Sequence, residues 1–310
     1  MATGVTCWRV CDRPLTWGNA PLPMREGCGM EQRDRFVGPA DVELLDELTD
    51  IVSRAAAAIV AIDRSKVAWR AKPDRSPVSA ADEAANAIIV RDLSRLLPGV
   101  PIISEEGRAS SLAQQSIFVL VDPLDGTREF LAGREEFTVN IAMIGEGKPR
   151  LGVIAAPALG LVWRGSVGHG AECLHLAVGA TTQQASAVGR LRTRGWPAGG
   201  IIAMTSRSHC DARTDAFLMR LPIVARIPCG SSLKFARIAE GSADLYPRFG
   251  RTCEWDVAAG NAVLAAAGGV VTAPDGTELV YGRAAEFHVA GFIAWGDPSA
   301  ANEILKRCNL

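Results

Sequence analysis

The sequence lacks an excess of charge of either sign. Its 310 residues include 33 Lys and Arg and 34 Asp and Glu, which gives a formal net charge of -1 at pH 7. A chain so balanced has no basic surface of the kind that binds nucleic acid or anionic lipid. The composition therefore favours a small-molecule partner and argues against a nucleic-acid-binding function.

Long hydrophobic runs are also missing. The longest apolar segments, RAAAAIVAI and AVLAAAGGVV, are far shorter than the roughly 20 residues that a helix needs to cross a bilayer. The N-terminal sequence MATGVTCWRVCDRPLTWG lacks the uninterrupted apolar centre of a signal peptide. We expect a cytoplasmic protein without an integral membrane segment. Peripheral association with the inner membrane stays open.

Paired cysteines of the CxxC type are absent, and the 8 cysteines are scattered, which favours reduced thiols. Internal repeats and low-complexity tracts are absent as well. What the chain does contain is apolar material, since 48% of its residues are hydrophobic and 22% are charged. That is enough for a large core and for two subdomains.

Hydrophobic patterns divide the chain into three parts. Residues 1–38 show no period and are predicted to be a poorly ordered N-terminal extension, with Met30 as a second candidate start. Residues 39–178 are predicted to form an α+β domain with helices against a largely antiparallel sheet. Residues 179–310 are predicted to form an α/β domain, because strands and helices alternate there after a polar connection at 178–199.

Two helices are predicted in the first domain. The segment DVELLDELTDIVSRAAAAIVAI has apolar residues at helical spacing and begins with Asp41 as the expected cap. In SAADEAANAIIVRDLSRLL, Ser79 and Asp82 form the S-x-x-D pattern of a capping box. Asp82 is therefore expected in the first turn of the second helix.

The central motif is VDPLDGTREF, from Val121 to Phe130. Asp122 ends the apolar run SIFVLV, which is typical of a buried strand, and Asp125, three residues later, is expected in the turn after that strand. An ordinary tight turn would also explain Asp-Pro and Asp-Gly. However, two carboxylates at the end of a buried strand are costly unless a positive charge lies between them. We therefore interpret the motif as a binding site.

Other acidic residues extend this site. Glu105 follows the short strand VPIIS, and Asp256 lies near the start of the helix EWDVAAGNAVL. Asp82 or Asp256 alone would be explained by helix capping. Together with the strand-end pair, they form the oxygen-only ligand set that Mg²⁺ requires. The following Gly126 and Thr127 add backbone amides at a helix start, where an anionic oxygen is held.

These motifs resemble the magnesium-dependent, lithium-sensitive phosphatase superfamily of inositol monophosphatase and fructose-1,6-bisphosphatase. The resemblance rests on VDPLDGTREF, EWDVAAGNAVLAAAGG, ISEEG and KPDRSPVSAAD, and it covers roughly residues 42–307. It implies a layered α-β-α-β-α sandwich in which the α+β domain binds metal and the α/β domain completes the active site. The segments SRSH, GSSLKFARIAEG and ADLYPRFG are most similar to bacterial 3'(2'),5'-bisphosphate nucleotidases.

The resemblance implies an enzyme of sulfate assimilation that removes the 3'-phosphate of adenosine 3',5'-bisphosphate. Its sulfated form, 3'-phosphoadenylyl sulfate, is a further candidate substrate. The alternative within the same fold is an inositol monophosphatase or a sugar-phosphate phosphatase. A binding protein with an inactive site is disfavoured, because all five acidic ligands are retained. The resemblance leaves a homodimer open.

By the same resemblance, two or three Mg²⁺ ions are expected. Glu105, Asp122 and the carbonyl of Leu124 would bind one ion, and Asp122, Asp125 and Asp256 a second. Asp82 would support a third ion through water. Four of these residues are also expected to contact the substrate: Glu105, Leu124, Asp125 and Asp256.

The remaining implied roles concern water and substrate. Thr127 and Asp74 would orient the attacking water, although Asp74 could equally be a loop residue. The amides of Gly126 and Thr127 would bind phosphate oxygens. Nucleotide contacts are expected from Ser206, His209, Ser231 and Lys234. The ordinary alternatives are a capping or core histidine at His209 and a solvated helix face at Lys234.

Overall fold

The computed structural model describes residues 39–71, 77–107, 116–208, 211–283 and 287–308. The predicted extension at residues 1–38 lies outside this range, as do Asp74 and His209. Within the described residues, no helix has both the length and the apolar character that a membrane crossing requires.

The helices of the described residues are α1 (Pro39–Val60), α2 (Ala80–Leu96), α3 (Thr127–Leu131), α4 (Ala212–Leu218), α5 (Leu233–Ala239), α6 (Glu254–Ala266) and α7 (Pro298–Cys308). A short 3₁₀ helix lies at Thr182–Gln184. The strands are β1 (Trp69–Ala71), β2 (Pro77–Ser79), β3 (Ile102–Ser104), β4 (Ile117–Asp125), β5 (Thr138–Gly145), β6 (Lys148–Ala156), β7 (Leu161–Ser166), β8 (Gly170–His175), β9 (Ser186–Leu191), β10 (Ile201–Ser206), β11 (Ile223–Cys229), β12 (Leu245–Arg248), β13 (Thr252–Cys253), β14 (Val270–Thr272), β15 (His288–Val289) and β16 (Phe292–Trp295).

The first sheet has seven strands in the order β3-β4-β5-β6-β7-β8-β9. Strands β3 and β4 are parallel, and every other neighbouring pair is antiparallel. This agrees with the largely antiparallel sheet predicted from the turn spacing. Successive residues of β6 point to opposite faces, so that Val153 packs with α1 and α2 while Ile154 packs with α6.

The second sheet has five strands in the order β11-β10-β12-β16-β14. One face packs against α5 and α6 through an aromatic group that includes Phe235, Tyr246 and Phe292. The other face packs against α4 and α7. The order of layers is α1 and α2, first sheet, α5 and α6, second sheet, α4 and α7. The predicted α-β-α-β-α sandwich is therefore confirmed.

Helix α6 lies unusually close to the first sheet. A Cβ atom on Gly152 of β6 would lie 2.6 Å from the carbonyl oxygen of Ala259 and 2.7 Å from the Cβ of Ala262. On the opposite side of the helix, a Cβ on Gly260 would lie 2.3 Å from the ring of Phe235. Only glycine fits at such distances. These contacts fix the position of a helix whose first turn contains Asp256.

Three local predictions require correction. Helix α1 begins at Pro39, so Asp41 lies in the first turn and is not the cap. Strand β4 continues to Asp125, which was expected in a turn. The segment 178–199 contains β9, the seventh strand of the first sheet, which was expected to be an irregular connection. Its period-2 signal is weak because most of its residues are exposed. The division of the chain into domains at residues 178 and 179 stays a prediction.

Candidate active site

An irregularity in β4 brings Asp122 and Asp125 to the same side of the strand. Asp122 pairs with Asn140 and Asp125 with Thr138, so three steps along β4 match two steps along β5. In a regular strand, residues three apart point to opposite faces. The extra residue forms a bulge that reverses this relation. Both carboxylates consequently line one cavity.

The bulge also orients its own backbone. The amide of Leu124 donates to Oδ1 of Asp122 at 3.1 Å, and the intervening Pro123 has no amide hydrogen to pair. Asp122 is only 1% exposed. The local sequence Asp-Pro-Leu-Asp thus forms a compact bulge in a buried strand, in which the Asp122 carboxylate is held by the backbone of the same strand.

Three carboxylates from three different elements meet in this cavity. Glu105 follows β3, Asp122 belongs to β4, and Asp256 lies in the first turn of α6. One oxygen atom of each lies within 4.8 Å of the others. Because β3 and β4 are parallel, their carboxyl ends lie side by side, which places Glu105 next to Asp122. An all-oxygen cluster of this size can bind a metal ion.

Asp256 has the orientation that its helix position imposes. Its Oδ2 atom accepts hydrogen bonds from Thr252 Oγ1 and from the amide of Cys253, the latter at 3.1 Å. It therefore caps α6 and belongs to the acidic cluster at once. The capping explanation is correct for this residue, and the capping role leaves it within the acidic cluster.

Asp125 is supported by a polar chain from the second half of the protein. Ser232 donates to its Oδ2 at 2.9 Å, and Asn140 donates to the Ser232 hydroxyl at 2.9 Å. Burial and the neighbouring charge of Asp256 raise the pKa of Asp125 to about 6, against the lowering effect of Lys234. A bound cation would favour the ionised form of this carboxylate.

Asp82 and Thr127 form a hydrogen-bonded pair. The predicted capping box is present, since Asp82 Oδ2 accepts from the amide and the hydroxyl of Ser79 at 2.7 and 2.8 Å. Its other oxygen, Oδ1, lies 2.9 Å from Thr127 Oγ1. The same hydroxyl lies 3.1 Å from the carbonyl of Leu124. In the described residues, the Thr127 hydroxyl therefore has two acceptors, the Asp82 carboxylate and the Leu124 carbonyl.

The loop before Thr127 is shaped by a glycine. Gly126 has φ 91° and precedes α3 without a side-chain hydrogen bond that caps the helix. A Cβ at this position would lie 2.9 Å from the carbonyl of Glu136. The positive φ and the close approach both require glycine. This conformation leaves the first amides of α3 free of a side-chain cap beside the acidic cluster.

The cavity has a volume of about 440 Å³ and also contains cationic residues, Lys234, Arg248 and Arg251 among them. Lys234 is 3% exposed, so the solvated-face alternative is wrong. Its Nζ donates to the carbonyls of Cys229 and Ser231 at 3.2 and 2.6 Å and lies 4.9 Å from the centre of the Tyr246 ring. The ammonium group is thus held at the cavity wall.

Ser231 has an uncommon backbone conformation, with φ 50°. Its hydroxyl oxygen is buried and has no hydrogen-bond partner among the described residues. The residue lines the cavity beside Lys234. A strained backbone beside a buried polar atom that has no hydrogen bond is typical of a binding site.

A match to a known protein family covers almost all of the described residues. Residues 35–307 match the model of the inositol monophosphatase family. The chain belongs to this family. The resemblance inferred from the motifs is confirmed, and the layered fold agrees with the solved structures of the family.

Two relatives carry the same printed name. The 3'(2'),5'-bisphosphate nucleotidase CysQ of Escherichia coli K12 is 40% identical over 253 residues, which cover 80% of this chain and 98% of the relative. The crystal structure of CysQ from Bacteroides thetaiotaomicron is 30% identical, with a TM-score of 0.69 over 82% of this chain and 97% of that one. An inositol monophosphatase from Anabaena, 24% identical with a TM-score of 0.68 over 87% and 96% of the two chains, shows the fold alone.

Most of the predicted site residues lie together in this family's fold. Those that line the cavity are Glu105, Asp122, Leu124, Asp125, Gly126, Thr127, Ser206, Ser231, Lys234 and Asp256. Asp82 contacts the cavity wall through Thr127. The expectations for Asp74 and His209 concern residues outside the described range.

Sequence reasoning missed Arg248 and Arg251, and it missed the contact of Ser232 with Asp125. Arg248 ends β12, and Arg251 lies in the loop between β12 and β13. The segment ADLYPRFG was singled out, but nothing in its pattern shows that β12 ends beside the acidic cluster. The charge of an arginine at a strand end was the available signal.

Proposed function

We propose that this protein is a Mg²⁺-dependent phosphomonoesterase that removes the 3'-phosphate of adenosine 3',5'-bisphosphate. The observation that carries the proposal is a single cavity containing both the carboxylate cluster and the cations Lys234 and Arg248. A substrate with two phosphates could bind both kinds of group. One phosphate would bind the carboxylate cluster through metal ions, and the other would bind the cationic side chains directly. The volume suits a small ligand. The printed name of the relatives gives independent support.

The residues of the cluster fit hard cations. Every donor atom is oxygen, and carboxylates within 4.8 Å of one another repel unless a positive charge lies between them. In the proposal, Glu105, Asp122 and the Leu124 carbonyl bind one Mg²⁺. Asp122, Asp125 and Asp256 bind a second, and Asp82 supports a third through water. Bound Mg²⁺ polarises the phosphoryl group and lowers the pKa of water.

Thr127 is the proposed acceptor for the attacking water. The hydroxyl carries one hydrogen, which it donates to Asp82 at 2.9 Å or to the Leu124 carbonyl at 3.1 Å. Its oxygen lone pairs can then accept a hydrogen bond from a water in the cavity. When the water passes a proton to Thr127 Oγ1, the proton that the hydroxyl carried is transferred to Asp82 Oδ1, so that the hydroxyl is restored and Asp82 is protonated. Asp74 remains a predicted second contributor to the orientation of this water.

The reacting phosphate is proposed to bind the amides of Gly126 and Thr127. The other phosphate is proposed to lie against Ser231, Lys234 and Arg248. Charge-assisted hydrogen bonds of this kind are stronger than neutral ones. Ser206, which lines the same cavity, and His209 complete the nucleotide contacts in the proposal.

Phosphate release from a panel of substrates tests the proposal. The panel contains adenosine 3',5'-bisphosphate, 3'-phosphoadenylyl sulfate, inositol 1-phosphate and fructose 1,6-bisphosphate, each with Mg²⁺ and with a chelator. We expect the adenosine bisphosphate to be preferred, adenosine 5'-monophosphate as its product, and no turnover with chelator. Inositol 1-phosphate as the fastest substrate would replace the proposal with an inositol monophosphatase.

The proposal also includes two finer properties of the resembled superfamily. Added Li⁺ should inhibit the Mg²⁺-dependent reaction, which the same assay measures. A cytoplasmic role in sulfate assimilation predicts that deletion of the gene impairs growth on sulfate and that cysteine restores it. Normal growth of the deletion strain on sulfate would argue against this role.

A further inference from the structure

Glu136 is a buried carboxylate that the proposed chemistry does not use. It lies between α3 and β5 and is 7% exposed. Arg207 donates to it twice, from Nε to Oε2 at 2.8 Å and from Nη2 to Oε1 at 2.6 Å. The amide of Gly230 also donates to Oε2, at 2.8 Å. We name Glu136, Arg207 and Gly230 the Glu136 clamp.

The Glu136 clamp connects two loops of the second sheet to one residue of the first half. Arg207 follows β10, and Gly230 follows β11. Arg207 Nη2 donates in addition to the carbonyl of Pro228 at 2.8 Å, which connects the residue after β10 to the end of β11. A Cβ on Gly230 would lie 2.7 Å from the Glu136 carbonyl oxygen, so the two backbones are in contact. Such a bidentate pair fixes position as well as distance.

The loops that the clamp fixes carry the proposed nucleotide contacts. Ser206 directly precedes Arg207, and Ser231 directly follows Gly230, and both line the cavity. The Ser231 carbonyl accepts the 2.6 Å hydrogen bond from Lys234. A shift of the Gly230 backbone would therefore move Ser231 and the ammonium group together.

The metal side of the same loop has a separate support. Ser232 accepts a hydrogen bond from Asn140 at 2.9 Å and donates to Asp125 at 2.9 Å. Neither contact involves Glu136 or Arg207. The Glu136 clamp holds the backbone before Ser231, and the bonds of Asn140 and Asp125 hold Ser232. Loss of the clamp should therefore displace the proposed nucleotide contacts more than it displaces Asp125.

We propose that the Glu136 clamp is a positioning element for the nucleotide and its non-reacting phosphate. Arg207 and Glu136 act through Gly230 and Ser231 and take no part in the metal-dependent step. This inference rests on the proposed function, because it assigns the cavity wall at Ser231 to the nucleotide. It predicts that the clamp determines substrate preference.

A second ion pair in the protein provides a matched control. Arg194 donates to Asp244 from Nε and Nη2 at 2.7 and 2.8 Å, and the amide of Ile202 donates to the same carboxylate at 2.7 Å. The chemistry is the same, with one guanidinium and one backbone amide on a buried carboxylate. None of these three is among the described residues that line the cavity.

The experiment compares Arg207→Ala, Arg207→Lys, Glu136→Gln and the control Arg194→Ala in the full-length protein. Steady-state kinetics with Mg²⁺ are measured on adenosine 3',5'-bisphosphate and on inositol 1-phosphate, together with the melting temperature. We expect Arg207→Ala to raise KM for the bisphosphate roughly 10- to 100-fold, because it displaces charge-assisted contacts that bind the ground state and the transition state equally. Its kcat/KM for inositol 1-phosphate should change by less than about threefold, because this substrate has no second phosphate to reach these contacts.

The other variants narrow the interpretation. Arg207→Lys keeps the charge but loses the bidentate geometry, so it should give a smaller increase in KM than alanine. Glu136→Gln should resemble Arg207→Ala in its substrate selectivity. Arg194→Ala should lower the melting temperature to a similar degree while the ratio of the two kcat/KM values stays at that of the unmodified protein.

The outcomes separate this inference from the proposed function. An unmodified protein that prefers inositol 1-phosphate refutes both. An unmodified protein that prefers the bisphosphate, combined with equal losses on both substrates in Arg207→Ala and Glu136→Gln, refutes the positioning role alone. The same holds if these variants keep their KM for the bisphosphate, or if Arg194→Ala changes the substrate ratio as much as they do.

Discussion

Replacement of Thr127 by valine tests how the proposed site handles the proton of the attacking water. Valine keeps the branched shape of threonine and removes the hydroxyl that lies 2.9 Å from Asp82 and 3.1 Å from the Leu124 carbonyl. The two Asp82 contacts with Ser79 do not involve this hydroxyl. The substitution therefore replaces the hydroxyl by a methyl group and leaves the capping box of α2 intact.

The structure sets the size of the two expected effects. Asp82 is 2% exposed, and its Oδ1 atom loses the donor that Thr127 provides. A buried acceptor that loses its partner costs about 1–3 kcal/mol of folding free energy. Loss of a positioned proton acceptor lowers kcat by about 10²- to 10⁴-fold. That corresponds to roughly 3–5 kcal/mol in the activation barrier.

The assay is phosphate release at saturating Mg²⁺ and adenosine 3',5'-bisphosphate, with thermal unfolding of the same samples. Thr127→Ser is the matched control, because it retains the hydroxyl and loses only a methyl group. We expect it to keep kcat within about tenfold of the unmodified protein, a smaller loss than that of a removed acid-base group. A folded Thr127→Val variant with an equally small loss would show that the hydroxyl does not handle the proton.

Asp122→Asn should abolish Mg²⁺-dependent phosphate release in a chain that remains folded by circular dichroism, because both proposed metal sites share this carboxylate. A variant that kept most of its activity would contradict the metal assignment. Lys234→Met should lower the melting temperature, since a buried ammonium donates to two loop carbonyls and each such bond contributes about 1.5–3 kcal/mol; an unchanged melting temperature would be evidence against this support. Burial raises the pKa of Glu254 from 4.5 to about 7, so the fold favours the protonated form, and the stability that this form contributes is complete below pH 4.5 and lost as the pH rises through about 7. Glu254→Gln should therefore raise the melting temperature at pH 8 and remove the decline between pH 5 and 8 that this group causes, and equal melting curves at pH 8 would refute the argument.

The carboxylate cluster is predictable from sequence because each member sits at an element boundary that the local pattern marks. An apolar run ends before Asp122, a short strand ends before Glu105, and a helix begins beside Asp256. The β4 bulge is not predictable in the same way. It depends on pairing with β5, which no property of the segment VDPLDG reports.

The cationic part of the cavity shows the same limit. Lys234 could be proposed from a motif, yet its burial and its bonds to loop carbonyls follow from how α5 packs against β12. Arg248 enters the site because β12 lies between β10 and β16. Glu136 pairs with Arg207, 71 residues later in the chain. Contacts at such separation come from the topology of the sheets, and local propensity has no information about them.

The close approach of α6 to the first sheet has a consequence for the variation that this protein can tolerate. Gly152 and Gly260 are not among the described residues that line the cavity, but the carbonyl of Ala259 and the ring of Phe235 leave no space for even one methyl group at either position. A larger residue at Gly152 would push α6 away from the first sheet, and Asp256 at its N-terminus would move away from Asp122 and Glu105. Gly152→Ala would therefore disturb the proposed metal site without changing any of its ligands. Changes in this helix–sheet interface should be assessed as potential changes at the proposed metal site.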